Sequence, residues 1–351
     1  MDLTERVELA LAGVRYDAPV QRSKGAGPSD DGHFQVAGVN AAIPLNRDSP
    51  YMVSGGHIWR AGRDLGMEIA PVVRPKFYDC RTSDGVPYSQ IALLHGRDVL
   101  ATTVVQTCIR YAEDQRCRFC AIEESLRAGS TIAAKTPAQL AEVAEAAVRL
   151  DGVRQMVMTT GTTAGPDRGA RHLARCVRAV REAVPDLPIQ VQIEPPVADL
   201  PVLTELHDAG ATAIGIHVES MDDAVRTRWM PGKSTVPLTE YWRAWDEAVR
   251  VFGWNRVSTY LLIGLGEDPN ELVTAARSLI ARGVYPFVVP MRPMLGTLAR
   301  QDGALSPSPA LVLSVTRQVA ALLIEAGMAG ADQGAGCAAC GGCSTLAAAG
   351  G

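Results

Sequence analysis

A chain of 351 residues that is 47% hydrophobic and 21% charged has the make-up of an ordinary globular protein, long enough for one large barrel or two domains. Its formal net charge of -4 gives no electrostatic reason to expect nucleic acid or an anionic membrane as a partner. No apolar stretch approaches the roughly 20 residues that span a bilayer. The opening residues Met1 to Glu8 lack an apolar signal core, and the eight cysteines do not form a disulfide framework, so the expected location is the reducing cytoplasm.

Residues 1 to 98 read as an N-terminal extension. Gly25-Ala-Gly-Pro28, Ser54-Gly-Gly56 and short segments such as Gln90 to His95 suggest a small β-rich or irregular module. His33, His57 and His95 stand alone and read as structural, and Asp79-Cys80-Arg81 is the module's one hint of chemistry.

The apolar run from Val99 to Thr107 reads as a strand, and Cys108, Cys117 and Cys120 follow it directly. Two of these thiols lie in a C-x2-C step, which lets one short loop present two sulfurs to a single cluster or ion. The spacer from Ile109 to Arg116 carries four charged groups and suits a loop better than a core. Thiolates are soft anionic ligands, so an iron-sulfur cluster and zinc compete for this loop.

Next, Thr136-Pro137 marks a helix start, with Leu140, Val143, Ala147 and Leu150 along one face. Candidate strands follow at Val153 to Thr159, Ile189 to Glu194, Thr212 to Val218, Val257 to Ile263 and Val284 to Val289. Helical stretches at Arg168 to Val184, Leu238 to Phe252 and Asn270 to Ala281 alternate with them. With the strand at Val99 this makes six βα units: an α/β fold with a parallel sheet, as a partial to full TIM-like barrel or an open doubly wound sheet.

In either architecture ligands bind beyond the C-terminal ends of the strands. Those ends are polar here: Thr159-Thr-Gly-Thr-Thr163, Glu194-Pro-Pro196, His217-Val-Glu-Ser220, Gly264-Leu-Gly-Glu267 and Met291-Arg-Pro293. Glu194 points into that mouth if its strand has the expected register; otherwise it caps a helix or meets Arg292.

Three cysteines after a first strand, with Phe119 directly before the last, resemble the cluster loop of radical S-adenosylmethionine (SAM) enzymes, in the branch of biotin synthase and lipoyl synthase. The family spacing is C-x3-C-x-aromatic-C, so Cys108 lies five residues too far away and the loop must bulge. The strand ends resemble that branch's SAM path over residues 99 to 300. The resemblance implies a [4Fe-4S] cluster on Cys108, Cys117 and Cys120 with SAM on its fourth iron. Thr160 and Gly161 resemble the motif that receives SAM's amino group, and His217 and Glu219 the pair that bonds the ribose hydroxyls. Lys233 stands where relatives place a basic residue for SAM's carboxylate, with Arg228 as the weaker candidate. Gly264 and Gly266 resemble the turn bordering adenine, and Pro290 to Thr297 the segment after the sixth strand. Phe119 can cover an adenine face and Glu219 can accept from two vicinal hydroxyls.

Residues 301 to 351 hold a helix over Ala310 to Ala326 and then Cys337-Ala-Ala-Cys340-Gly-Gly-Cys343. This C-x2-C-x2-C run lacks the fourth cysteine of a ferredoxin motif, and an auxiliary iron-sulfur cluster is expected there. Mononuclear zinc and an uncoordinated tail are the competing readings, with Cys80, Cys176 or substrate completing an open site. The resemblance implies an oxidoreductase or a sulfur- or carbon-transferring transferase. It further implies a small-molecule substrate and an electron donor such as flavodoxin or ferredoxin. The pattern also looks like an uncharacterised subfamily found near nitrilases, which hints at a nitrogen-containing substrate. The opposing functional class is an iron-sulfur or zinc-binding scaffold or redox protein that never cleaves SAM.

Overall fold

A computed structural model describes residues 1–16, 33–198 and 200–350. The Gly25-Ala-Gly-Pro28 turn lies outside them. The N-terminal module begins with a helix, Leu3–Ala12, capped reciprocally by Asp2 and Glu5. Five short strands follow: β1 (His33–Val36), β2 (Val39–Ala42), β3 (Tyr51–Ser54), β4 (His57–Arg60) and β5 (Arg63–Pro71). They form an antiparallel sheet in the order β2-β1-β5-β4-β3. Three two-residue turns join neighbouring strands at Ala37-Gly38, Gly55-Gly56 and Ala61-Gly62, each with two positive φ angles that match the twist of a tight hairpin. Leu9, Val14, Phe34, Val36, Ile43 and Ile58 form this module's core.

The main sheet has seven strands: β6 (Leu93–His95), β7 (Val99–Thr103), β8 (Gln155–Thr159), β9 (Ile189–Ile193), β10 (Ala213–Ile216), β11 (Val257–Ile263) and β12 (Val284–Pro290). Their spatial order follows the chain without a break, so there is no switch point and the doubly wound alternative is excluded. From β7 to β12 every pair is parallel, and β12 does not close on β6, which leaves a curled half-barrel. The segment assigned from sequence to the N-terminal module, Gln90 to His95, instead adds β6 to this sheet as an antiparallel edge.

Residues alternate along each strand. Met156, Met158, Ile189, Val191, Ile193, Ile214 and Ile216 face the helix layer and join the main core. Thr159, Gln192, His217 and Tyr260 face the lumen. The outer layer includes Pro137–Asp151, Ala170–Ala183, Val202–Asp208, Leu238–Phe252, Pro269–Ile280 and Pro309–Glu325. The first starts at the expected Thr136-Pro137, where Thr136 and Gln139 form a capping box. Among the described residues no helix is long and apolar enough to cross a membrane.

After Pro309–Glu325 the chain passes under the N-terminal ends of the strands and turns into the lumen. The Asn255 side-chain amide donates to the Ala329 carbonyl at 3.0 Å, and the Gly336 N–H donates to Gln155 Oε1 at 2.8 Å. A Cβ at Gly336 would lie 2.0 Å from the Gln190 side chain. The N-terminal module meets this segment: Arg6 donates to the carbonyls of Gly342 at 2.5 Å and Ser344 at 3.3 Å, and the Ala42 N–H donates to Gly342 at 2.8 Å. Gln333, Ala335 and Thr345 are buried, so the segment is not a free tail.

Candidate metal and cofactor site

The long spacer between Cys108 and Cys117 is folded rather than slack. The Tyr111 N–H donates to the Cys108 carbonyl at 3.0 Å and the Arg116 N–H to Ala112 at 2.8 Å, making two successive turns. Tyr111 is buried, with the guanidinium of Arg116 5.0 Å from its ring centroid. Arg110 leaves the spacer to grip Glu194 with both ends of its fork, at 2.7 and 3.1 Å. The bulge required by the C-x8-C spacing is therefore a built turn with an ion-pair anchor. Beyond it, the Cys120 N–H donates to the Cys117 carbonyl at 2.9 Å, and the Arg118 N–H to Trp229 at 2.8 Å.

Glu194 was expected to touch a ligand, cap a helix or meet Arg292. Its carboxylate instead accepts from Arg110, from Arg168 at 2.5 Å and from the Thr162 hydroxyl at 3.0 Å. These contacts use both oxygens of a side chain that is only 5% exposed. The Thr160 hydroxyl bonds to the Gly161 carbonyl at 3.0 Å. Gly161 is a close-approach position, since a Cβ there would lie 2.0 Å from the Thr107 carbonyl oxygen. Gly264 and Gly266 form the turn after β11, whose Leu265 carbonyl accepts from Arg228 and from the Trp229 indole. Arg228 is thus committed to backbone.

Lys233 and Glu219, expected to touch different parts of one ligand, bond to each other at 2.5 Å. Burial works against the lysine's charge, but the adjacent Glu219 carboxylate outweighs it and raises the ammonium's pKa. Glu219 has a left-handed backbone, φ 64°, and is pinned by its N–H to the Tyr260 carbonyl at 2.9 Å and its carbonyl to the Leu262 N–H at 2.8 Å.

His217 lies flat on Tyr260, with ring centroids 4.0 Å apart and planes 8° from parallel. The Tyr260 N–H donates to Nδ1 at 3.2 Å, which places the ring proton on Nε2. That nitrogen is buried without a partner among the described residues. Burial, with the Lys233 charge, lowers the imidazole to about 3, so the ring is neutral.

A cavity of about 370 Å³ joins these groups. Phe119, Cys120, His217 and Glu219 line it from the C-terminal ends of the strands, and Cys337 and Cys343 line it from the inserted segment. Thr160, Gly161, Glu194, Lys233, Gly264 and Gly266 are not among its lining residues. Gln192 donates to the Cys337 sulfur at 3.4 Å, and the Tyr260 hydroxyl bonds the same sulfur. Asn40 of β2 reaches the Cys340 sulfur at 3.8 Å. Burial raises the Cys120 and Cys340 thiols to about 11 and Cys343 to about 12, and it raises Cys117 and Cys337 as well. Sequence reasoning missed Gln192, Tyr260 and Arg110. The two polar side chains on the lumen face of otherwise apolar strands were the available signal.

All eight cysteines are free thiols. Cys176 is buried in the helix layer, 3.7 Å from His172, and Cys80 follows the turn Lys76–Asp79; neither lines the cavity. Asp79 pairs with Arg74 at 2.7 Å and Arg81 donates to the Gly85 carbonyl at 2.9 Å, so Asp79-Cys80-Arg81 is a structural turn. Among the described residues no three His, Cys, Asp or Glu side chains are grouped to hold a single ion. One zinc needs four ligands at about 2.0–2.3 Å. The thiolates of a multi-iron cluster each bind a different iron, and both sets consist of cysteine thiols alone, the donor type that such clusters take.

Residues 114–279 match the radical SAM superfamily. The mitochondrial lipoyl synthase of Leishmania braziliensis is 29% identical over 175 residues, 48% of this chain and 43% of its own. The bacteriochlorophyllide c C-7(1)-hydroxylase of Chlorobaculum limnaeum is 25% identical over 254 residues, 66% of this chain and 63% of its own. Among solved structures, methylornithine synthase has a TM-score of 0.49 at 17% identity over 64% of this chain and 62% of that one. The chain spans about half the length of the lipoyl synthases it matches. Radical SAM enzymes use a [4Fe-4S] cluster and S-adenosylmethionine. Residues 114–279, a little under half of the chain, carry this radical SAM domain match, and lipoyl synthases are among the named relatives.

Proposed function

We propose that this chain cleaves S-adenosylmethionine reductively at a [4Fe-4S] cluster held by Cys108, Cys117 and Cys120, and abstracts hydrogen from a small molecule in the lumen. Such a cluster, held by Cys108, Cys117 and Cys120, would supply the single electron that reductive cleavage of the sulfonium needs. The observation that carries the reading is the shared cavity: Cys120 reaches it from one end, and Cys337 and Cys343 from the other. An auxiliary iron-sulfur cluster on Cys337, Cys340 and Cys343 would then face the substrate from below.

The protein's own residues bind and orient. The proton on His217 Nε2 offers a donor to a ribose hydroxyl, and Glu219 beside it accepts from the vicinal pair. The resemblance gives Lys233 to the cofactor's carboxylate, but its ammonium is paired with Glu219 and lies outside the cavity lining, so it would act there only by shifting from that pair. Phe119, which lines the cavity, would cover adenine; Gly264 and Gly266 at its border and Thr160 and Gly161 at the amino group are assigned by the resemblance alone, since none of the four lines the cavity. Glu194 is left out of the ligand set, because its oxygens hold Arg110 and the cysteine loop in place. Ala101, Val157, Leu262, Val289 and Met291 give the lumen an apolar wall, which limits water and stray hydrogen donors.

The nitrogen-containing substrate implied by the subfamily resemblance, a flavodoxin- or ferredoxin-like electron donor and a cytoplasmic location belong to the same proposal. The test is anaerobic reconstitution, with iron and sulfide counts, EPR of the dithionite-reduced protein with and without S-adenosylmethionine, and an assay for 5′-deoxyadenosine. A cluster signal that responds to the cofactor, together with 5′-deoxyadenosine, supports the reading. A cluster indifferent to the cofactor, or zinc alone, replaces it with the scaffold or redox protein.

A further inference from the structure

Cys337 and Cys343 line the lumen, whereas Cys340 is set back from it against Val99, Ala101 and Val157. The set-back side of this cysteine run is covered by the N-terminal module. Asn40 of β2 directs its amide nitrogen at the Cys340 sulfur, 3.8 Å away, and Gln35 donates to the oxygen of the same amide. The amide is thereby held with its N–H groups toward the thiol. The Ala42 N–H donates to the Gly342 carbonyl at 2.8 Å, which lays β2 along the run.

Arg6 of the first helix reaches the same run. It is 3% exposed, and its Nη2 is spent on the Gly342 and Ser344 carbonyls that flank Cys343. Its Nη1 is buried without a partner among the described residues, and no carboxylate among them pairs with the guanidinium. Burial lowers Arg6 to about 10, the charge of Arg292 acts the same way, and Cys343 and Cys340, acting as anions, oppose both. Arg6 therefore stays cationic at neutral pH, and two buried positive charges, Arg292 and Arg6, bear on Cys343. Buried cations are ordinarily matched by an anion. Neutral thiols supply none, but a thiolate-ligated iron-sulfur cluster is an anion with sulfur acceptors, and it gains negative charge on reduction.

We propose that the N-terminal module, which lies outside the matched domain, is the outer wall of the auxiliary-cluster site. Arg6 supplies a buried counter-charge and an N–H, Asn40 supplies a second N–H, and both are positioning residues that favour the cluster's reduced state. On reduction the cluster takes one electron from a low-potential donor, dithionite in the test below, and Arg6 offsets the added charge. This rests on the reading of Cys337, Cys340 and Cys343 as ligands of an auxiliary cluster.

The experiment uses the full chain with Cys108, Cys117 and Cys120 replaced together by alanine, so that bound iron reports on the C-terminal cysteines. After anaerobic reconstitution, iron and sulfide are counted and the cluster is titrated with dithionite under EPR. Iron should bind, and Arg6→Met should lower the reduced-to-oxidised ratio at a fixed potential about tenfold, which is about 59 mV for one electron. Arg6→Lys, which keeps the charge, should keep most of the wild-type ratio, and Asn40→Ala should lower it about threefold. Absence of iron overturns the auxiliary cluster and this proposal together. The proposal alone is overturned if iron binds and Arg6→Met leaves the ratio unchanged, or if Arg6→Lys falls as far as Arg6→Met. Should Arg6→Met fail to fold, Asn40→Ala, which leaves the Arg6 contacts intact, decides by the same readout.

Discussion

Tyr260 bonds the sulfur of Cys337 through its hydroxyl while its ring lies flat on His217, 4.0 Å away centre to centre. One side chain thus touches both the group proposed for the cofactor's ribose and the inserted cysteine segment. Hydrogen bonds to cluster sulfurs stabilise the reduced, more negative state. Tyr260→Phe should therefore lower the reduction potential of the cluster proposed for the C-terminal cysteines without removing its iron. A redox titration followed by EPR checks this; an unmoved potential at full iron would detach Tyr260 from that cluster.

The two cysteine sets should separate by mutation. Cys120→Ala should abolish 5′-deoxyadenosine formation, and full cleavage in that variant would sink the assignment. Replacing Cys337, Cys340 and Cys343 together by alanine should lower bound iron to about half while uncoupled cleavage persists. Iron analysis and the 5′-deoxyadenosine assay read both.

Arg110→Met takes one partner from a buried carboxylate and leaves Glu194 to Arg168 and Thr162. A cost of about 1–3 kcal/mol is expected, together with faster loss of iron from the cysteine loop on chelator challenge. A chelator rate equal to wild type would show that the spacer holds its turns without this anchor.

Gly161→Ala places a methyl group 2.0 Å from the Thr107 carbonyl oxygen, a backbone atom that cannot swing away. Overpacking of this kind costs about 1–3 kcal/mol. Denaturant unfolding should show the loss, and a neutral substitution would mean that the cysteine loop moves freely against β8.

Burial raises the Glu267 carboxyl to about 7, and its Oε2 is buried without a partner among the described residues. A raised carboxylate pKa means that the folded state holds the proton more tightly than the unfolded one. Stability from this group is then fully present below the unfolded value of about 4.3 and falls as pH rises through 7. Glu267→Gln should remove that fall, gaining about 2–3 kcal/mol on wild type at pH 8 compared with pH 4. Parallel unfolding curves at the two pH values test it.

Much of the barrel was legible in the sequence because its information is local. Leu238–Phe252 and Val257–Ile263 have the expected bounds, fixed by one apolar helix face and by a β-branched run. The same local signal in the Asp2 and Glu5 capping box marked the overlooked first helix. Of Glu194, Lys233 and Glu219 only Glu219 lines the cavity, and the partners of all three were not legible. Arg110 lies 84 residues from Glu194 in sequence, so no periodicity reports the pairing. Gln192 and Cys337 are 145 residues apart, and only the inward turn of the C-terminal segment unites them. The cysteine spacing read as a departure because a count of intervening residues does not reveal that they coil into turns.

The clasp between Arg6 and the carbonyls of Gly342 and Ser344 joins residues more than 330 positions apart. On the ribosome, the N-terminal module emerges long before the segment it grips. Because Cys337 and Cys343 line the lumen from below, its floor is complete only once residues 330 to 346 have been made. The Arg6 clasp is thus a closure that forms late in synthesis, tying the first helix to the floor of the cavity.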